Sequence, residues 1–168
     1  GKKVEPFLIS KIMDRSGQIL FKKEMTKLEQ AIDPRIAFLI NDILKEAAFR
    51  GTAKKVSELG RNDFAGKTGT TNKAESTWFT GYNQDIVTSV WVGFDQPKSL
   101  GDREFGSSIA LPIWLDYKKD IIDRIPVKLT LPPKGLSVVK IDKETGKLAD
   151  QDTKNPIFEY YLEEYKPN

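Results

Sequence analysis

Apolar residues along this chain follow two spacings, one with the period of a strand and one with the period of a helix. Over residues 7–23, two β-prone runs flank Asp14-Arg15-Ser16-Gly17, a turn where glycine would supply a positive φ, so a hairpin is expected. Residues 24–32 are polar and read as a connection. Asp33-Pro34 then opens the strongest helical pattern, with Asp33 as cap and Pro34 in the first helical position. Ile36, Leu39, Ile40, Ile43, Leu44 and Ala47 recur at i, i+3, i+4 and i+7, which predicts one buried face. Arg50 suits the negative end of the helix dipole, and Gly51 is expected as a left-handed cap. Residues 52–63 are polar and read as a surface loop.

Three strands are expected next, over 64–71, 77–83 and 85–94, the last two joined tightly through Tyr82-Asn83-Gln84-Asp85. The third becomes apolar on both faces at Val90-Trp91-Val92, which predicts a central strand covered on both sides. A charged, glycine-rich loop covers 95–108. A second helix follows over about 109–123, with Pro112 near its start and Pro126 ending it. Beyond Leu131-Pro132-Pro133 the composition shifts. The tail offers one hairpin-like unit from Ser137 to Leu148, turning at Glu144-Thr145-Gly146. The division expected is therefore 1–132 and a C-terminal extension over 133–168.

Composition narrows the chemistry. The 168 residues suffice for one substantial core, and 39% hydrophobic with 30% charged residues suits a globular piece. Net charge is +3, from 27 basic and 24 acidic residues, with no basic stripe that would suggest nucleic acid. Cysteine and histidine are both absent. Thiol nucleophiles, cysteine zinc sites and Ser-His-Asp catalysis within the chain are thereby excluded, and proton work falls to lysine. Asp14, Asp42 and Asp142 are scattered, without metal-like spacing. No apolar run approaches the roughly 20 residues that cross a bilayer. The opening Gly-Lys-Lys-Val-Glu-Pro reads as an internal cut, so the chain is expected to be a fragment.

One stretch concentrates small residues, hydroxyls and a lone cation: Phe64-Ala65-Gly66-Lys67-Thr68-Gly69-Thr70-Thr71. A phosphate-binding P-loop places four residues between its glycines and sits between strand and helix. Here five residues separate Gly60 from Gly66, and Trp78-Phe79-Thr80-Gly81-Tyr82 beyond reads as strand. The alternative is the K-T-G element of penicillin-recognising acyl-serine enzymes, presented by a strand at the edge of a cleft.

The flanks favour the second. Arg50-Gly51-Thr52-Ala53, Leu59-Gly60-Arg61, Ala65 to Asn72, Trp78 to Tyr82 and Val90 to Asp95 form a collinear series that resembles the transpeptidase domain of bifunctional (class A) penicillin-binding proteins. Gly106 to Trp114 is similar to the entry into that family's last helix. Pro133, Gly135, Leu136, Ile141-Asp142 and Thr145-Gly146 resemble the segment that follows the domain. The resemblance implies an α+β fold, an antiparallel sheet covered by helices, present here only in its C-terminal part. The family often has an acidic residue and alanine before Trp-Phe, where Ser76-Thr77 stand, so the role of Glu75 stays open.

The resemblance also implies a site. Thr68 and Thr70 would bind the carboxylate of a D-Ala-D-Ala stem peptide or of a β-lactam, and Gly69 would let substrate backbone pair with the strand. The Thr70 amide would serve an oxyanion hole, and Lys67 would attract the carboxylate and support proton relay. No cofactor or metal is implied. Strand alternation puts Thr68 and Thr70 on one face and Lys67 on the other, so Lys67 has to reach round the edge. A solvated edge lysine is the bland alternative.

The family's S-x-x-K nucleophile and S-x-N serine lie upstream of K-T-G. No S-x-N occurs here, and Ser137-Val138-Val139-Lys140 sits in a strand pattern that separates Ser from Lys, so Ser137 reads as structural. Partners implied are peptidoglycan stem peptides, β-lactams and the missing N-terminal half of the domain, with a membrane anchor in that absent part and the chain on the periplasmic side of a bacterial inner membrane. The rivals are a D,D-carboxypeptidase or β-lactamase of the same fold, a P-loop nucleotide binder and a non-catalytic binding module. Trp78, Trp91 and Trp114 are expected to pack in the core rather than form a sugar platform.

Overall fold

Strand β3 (Ala65–Thr70), β4 (Ser76–Tyr82) and β5 (Val87–Gly93) form an antiparallel sheet in the order β3-β4-β5 in the computed structural model, which describes residues 1–24 and 28–167. Before it come β1 (Lys11–Met13) and β2 (Ile19–Lys22), then α1 (Pro34–Phe49) and a short 3-10 helix (Lys54–Leu59). After it come α2 (Ala110–Ile121) and the strands β6 (Leu136–Asp142) and β7 (Pro156–Leu162).

Local signals explain most of these boundaries. Asp14 Oδ1 accepts from the Ser16 and Gln18 amides, and Gly17 adopts φ +88°, closing the β1–β2 hairpin. Asp33 Oδ1 accepts from the Arg35 amide at 2.8 Å and caps α1. Asn83 Oδ1 accepts from the Asp85 and Ile86 amides, which turns β4 into β5. Of the expected connection over 24–32, residues 25–27 lie outside the described residues, while Lys3 donates its amide to Glu29 O at 2.9 Å.

The core lies between one sheet face and α2. Trp114 is fully buried, edge-on to Phe64 and Phe79 with ring centroids at 5.5 and 5.0 Å, and donates its indole N–H to Thr88 O. Ala48, Ala53, Val56, Ala110 and Leu111 complete it. Gly81 is dictated by this packing, because a Cβ there would stand 2.6 Å from the Trp114 ring.

Six expectations need correction. The buried residues of α1 are Phe38 and Ala48, whereas Ile36, Ile40 and Ile43 are 38%, 53% and 61% exposed. Periodicity detects an apolar stripe; what covers it depends on partners, and here Phe38 meets Tyr160 of β7 instead. Gly51 is not left-handed; Gly60 is, at φ +66° after the 3-10 helix. Residues 52–63 are not simply a surface loop, since Ala53 and Val56 are fully buried. β4, not β5, is central, because β5 pairs only with β4. Trp78 and Trp91 are each 45% exposed, so only Trp114 is a core residue. The turn at Glu144-Thr145-Gly146 forms, with Ile141 bridging Leu148, but the full-length partner of β6 is β7, in register from Leu136↔Leu162 to Asp142↔Pro156.

Candidate functional site

β3 is an edge strand of its sheet, and the register with β4 and β5 sorts its side chains. Gly69, Trp78 and Trp91 form one row across the sheet, and Lys67, Thr80 and Ser89 the next row on the same face. Thr68 shares the opposite face with Phe79 and Val90, and Thr70 with Thr77 and Val92, the face that packs on α2. The alternation read from the sequence therefore holds. Lys67 nevertheless curls round the strand edge, and its ammonium donates to Thr68 O at 3.1 Å and to Thr68 Oγ1 at 3.4 Å. The structure thus brings Lys67 and Thr68 together despite their opposed Cβ directions.

Both threonine hydroxyls are held by groups outside the strand. Thr68 Oγ1 lies 3.0 Å from Thr52 Oγ1, in the turn that follows α1. Thr70 Oγ1 accepts from the Gly106 amide at 3.0 Å. Gly106 is buried so tightly that a Cβ would strike Trp78 O and approach Gly69 O at 2.9 Å. Its own carbonyl accepts from Leu111 and starts α2, so the helix entry and the strand end share one residue. Thr71 instead builds the β3–β4 turn, its Oγ1 accepting from the Glu75 and Ser76 amides. In consequence Glu75 is held through its backbone.

Thr52 and Gly106 stand within the runs that carry the family resemblance, but no local pattern in the sequence places either at the site. The available signals were a hydroxyl residue directly after the glycine that follows α1 and its cap Arg50, and a glycine closing the charged loop before α2. Behind the strand, Arg61 donates to Asp63 Oδ1 at 2.9 Å and Oδ2 at 2.6 Å, and to the carbonyls of Ile122, Ile125 and Pro126. Asn83 adds a third donor to Asp63. Burial pushes the Asp63 carboxyl up, but Arg61 and Asn83 outweigh it and hold the pKa below the usual range. This network ties the entry of β3 to the exit of α2.

Phosphate-loop chemistry does not fit. Gly66 to Thr70 lie wholly within β3, antiparallel to β4, and no helix follows Lys67-Thr68 to receive a phosphate. Among the described residues no acidic cluster has metal-holding geometry. Ser137 lies in β6 opposite Tyr161, so its S-x-x-K spacing is a strand coincidence.

An exposed Lys-Thr-Gly-Thr edge strand, with both hydroxyls pinned from outside and a helix packed behind, fits the class of penicillin-recognising acyl-serine proteins. The chain belongs to that family: residues 1–117 match the model of the penicillin binding protein transpeptidase domain. More particularly, it is 44% identical over 144 residues to Penicillin-binding protein 1A of Pseudomonas aeruginosa, covering 86% of this chain and 18% of that protein. It is 42% identical over 142 residues to Penicillin-binding protein 1A of Neisseria lactamica, covering 81% and 18%. The crystal structure of Penicillin-Binding Protein 1A from Haemophilus influenzae superposes with a TM-score of 0.85 at 28% identity, over 98% of this chain and 30% of that one. The chain thus spans under a fifth of the length of these two relatives.

Proposed function

We propose that this chain supplies the carboxylate-binding wall of an acyl-serine D,D-transpeptidase that cross-links peptidoglycan. Thr68 and Thr70 hold the terminal carboxylate of a D-Ala-D-Ala stem peptide or of a β-lactam, and Gly69 leaves room for substrate backbone along the edge of β3. Lys67 supplies positive charge and supports proton relay, and the Thr70 amide is one oxyanion donor. A serine oxygen on the remainder of the domain bonds to the substrate carbonyl carbon. The C–N bond breaks and the terminal D-alanine leaves with the serine proton; an acceptor amine then bonds to the acyl carbon, the C–O bond to serine breaks, and the amine proton returns to the serine oxygen. The observation that carries this reading is the Lys67 ammonium folded over the edge onto Thr68, beside two pinned hydroxyls.

The same wall would serve a D,D-carboxypeptidase or β-lactamase that passes the acyl group to water. The similarity to proteins named Penicillin-binding protein 1A favours the transpeptidase. The proposal extends to the partner: the rest of the domain covers the exposed Ile36, Ile40 and Ile43 stripe and the Trp78–Trp91 row. It extends also to the boundary near 132, since β6 and β7 pair with each other and with no strand of the β3–β4–β5 sheet. No described helix is long and apolar enough to cross a membrane. An anchor in the bacterial inner membrane, with this part in the periplasm, would lie elsewhere in the protein, and fractionation of the complete protein tests it.

The direct test is fluorescent penicillin labelling. The isolated chain is expected to stay unlabelled, and addition of the complementary polypeptide with S-x-x-K and S-x-N to restore labelling. Thr70→Val in that pair lowers it, because catalytic groups that act as a unit fail together. A covalent adduct on the 168 residues alone would overturn the proposal and point to Ser137.

A further inference from the structure

We propose that Thr52 is a positioning residue that aims the proton of the Thr68 hydroxyl at an arriving anion, an inference that rests on the carboxylate-binding reading of β3. A threonine hydroxyl carries one proton and two lone pairs. Thr68 Oγ1 has two neighbours, Lys67 Nζ at 3.4 Å and Thr52 Oγ1 at 3.0 Å. The ammonium can only donate, so it engages one lone pair. The contact with Thr52 can run either way. If Thr68 donates, its single proton is consumed and an arriving carboxylate faces lone pairs. If Thr52 donates, both lone pairs of Thr68 are engaged and its proton is left to point at the ligand. A carboxylate only accepts, so its arrival selects the second arrangement.

Thr70 is set in the same sense with no alternative. The Gly106 amide donates to it and cannot accept, which leaves the Thr70 proton free. Thr52 gives Thr68 what the backbone gives Thr70, and the two hydroxyls then act as a matched pair of donors.

The local fold holds Thr52 in place for this. Gly51 before it has no room for a side chain, since a Cβ would stand 2.8 Å from Ala47 O. Ala53 after it is fully buried, with its amide donating to Ala47 O at 3.3 Å. Between these two fixed residues Thr52 alone projects, and it projects onto β3. Nothing in capping or helix propensity asks for a hydroxyl there.

The test uses the complete transpeptidase that carries this chain. Acylation by a penicillin with its free carboxylate and by the corresponding methyl ester is measured for Thr52→Val, Thr52→Ser, Thr68→Val and Thr70→Val, with melting temperatures as controls. Thr52→Val leaves Thr68 its proton but removes the donor that fixes its direction, so acylation by the free acid is expected to slow roughly threefold to tenfold, the worth of one neutral hydrogen bond. The loss should fall on the binding constant of the free acid, spare the ester, and be restored by Thr52→Ser. An unchanged Thr52→Val beside an impaired Thr68→Val overturns the role of Thr52 and leaves the carboxylate reading standing. A loss equal for acid and ester, unrescued by serine, makes Thr52 structural and also overturns it. If Thr68→Val and Thr70→Val both acylate normally, the carboxylate reading itself falls.

Discussion

The amide of Gly106 donates to Thr70 Oγ1 at 3.0 Å, so the last residue of the Lys-Thr-Gly-Thr strand is bonded to the loop that starts α2. Alanine at Gly106 would collide with Trp78 O and meet Gly69 O at 2.9 Å, both backbone atoms that cannot rotate aside. Gly106→Ala is therefore expected to cost about 1–3 kcal/mol in urea unfolding, the usual scale of overpacking. Hydrogen exchange at the Gly106 amide should accelerate more than at α2 as a whole. Exchange there at the rate of the unsubstituted chain would show that the loop and strand are not coupled through this contact.

Asp63 and Arg61 make stability depend on acid. The folded pKa of Asp63 is lowered, so its contribution is complete above the ordinary carboxylate range and disappears as pH falls through the folded value. Chemical unfolding from pH 7 down to 2 should show this loss below about pH 4. Arg61→Ala leaves a buried carboxylate unpaired and is expected to cost about 3–5 kcal/mol. Asp63→Asn should flatten the acid slope. An acid slope identical in Asp63→Asn and the parent sequence would assign it to other carboxylates.

The strand residues were legible because short-range rules govern them. Alternation sorted Lys67 from Thr68 and Thr70, and the side-chain amide of Asn83 marked the β4–β5 turn. What escaped was decided by partners far along the chain. Ile36, Ile40 and Ile43 keep a helical period, yet the chain covers Phe38 with Tyr160, 122 positions later. Nothing local to β6 names β7 as its partner rather than the nearer segment at Leu148. Likewise Thr52 meets Thr68 and Gly106 meets Thr70 through tertiary folding, so the resemblance could carry the strand itself but not the groups that orient it.

Lys118 is fully buried on α2 with its ammonium 2.8 Å from Thr88 Oγ1 and 5.2 Å from the centre of the Trp114 ring. The contacts with Thr88, Phe64, Trp114 and Tyr117 are favourable, but burial pushes its pKa down. The folded state then binds fewer protons than the unfolded state, and stability rises with pH toward the ordinary lysine value near about 10.4. Lys118→Met is expected to raise stability at pH 7 by about 1 kcal/mol, as apolar replacements of buried ions often do. It should also remove the rise at alkaline pH. A Lys118→Met chain that melts lower would show that the ring and hydroxyl contacts outweigh desolvation.

Trp78 and Trp91 face each other across β4 and β5, with ring centroids 6.4 Å apart and each 45% exposed. They lie on the Lys67 face of the sheet, while Trp114 is sealed on the other. If the remainder of the domain covers that face, two of the three tryptophans change environment on assembly and the third does not. The isolated chain should then show red-shifted emission quenched by acrylamide, with one protected component from Trp114. Adding the complementary polypeptide should shift the emission to the blue and protect the rest. Trp78→Ala with Trp91→Ala should weaken assembly far more than it destabilises the chain alone, because large aromatics dominate interface energetics through the area they bury. Penicillin labelling restored by the partner with no change in tryptophan exposure would place the partner elsewhere and leave the Trp78–Trp91 row without this role.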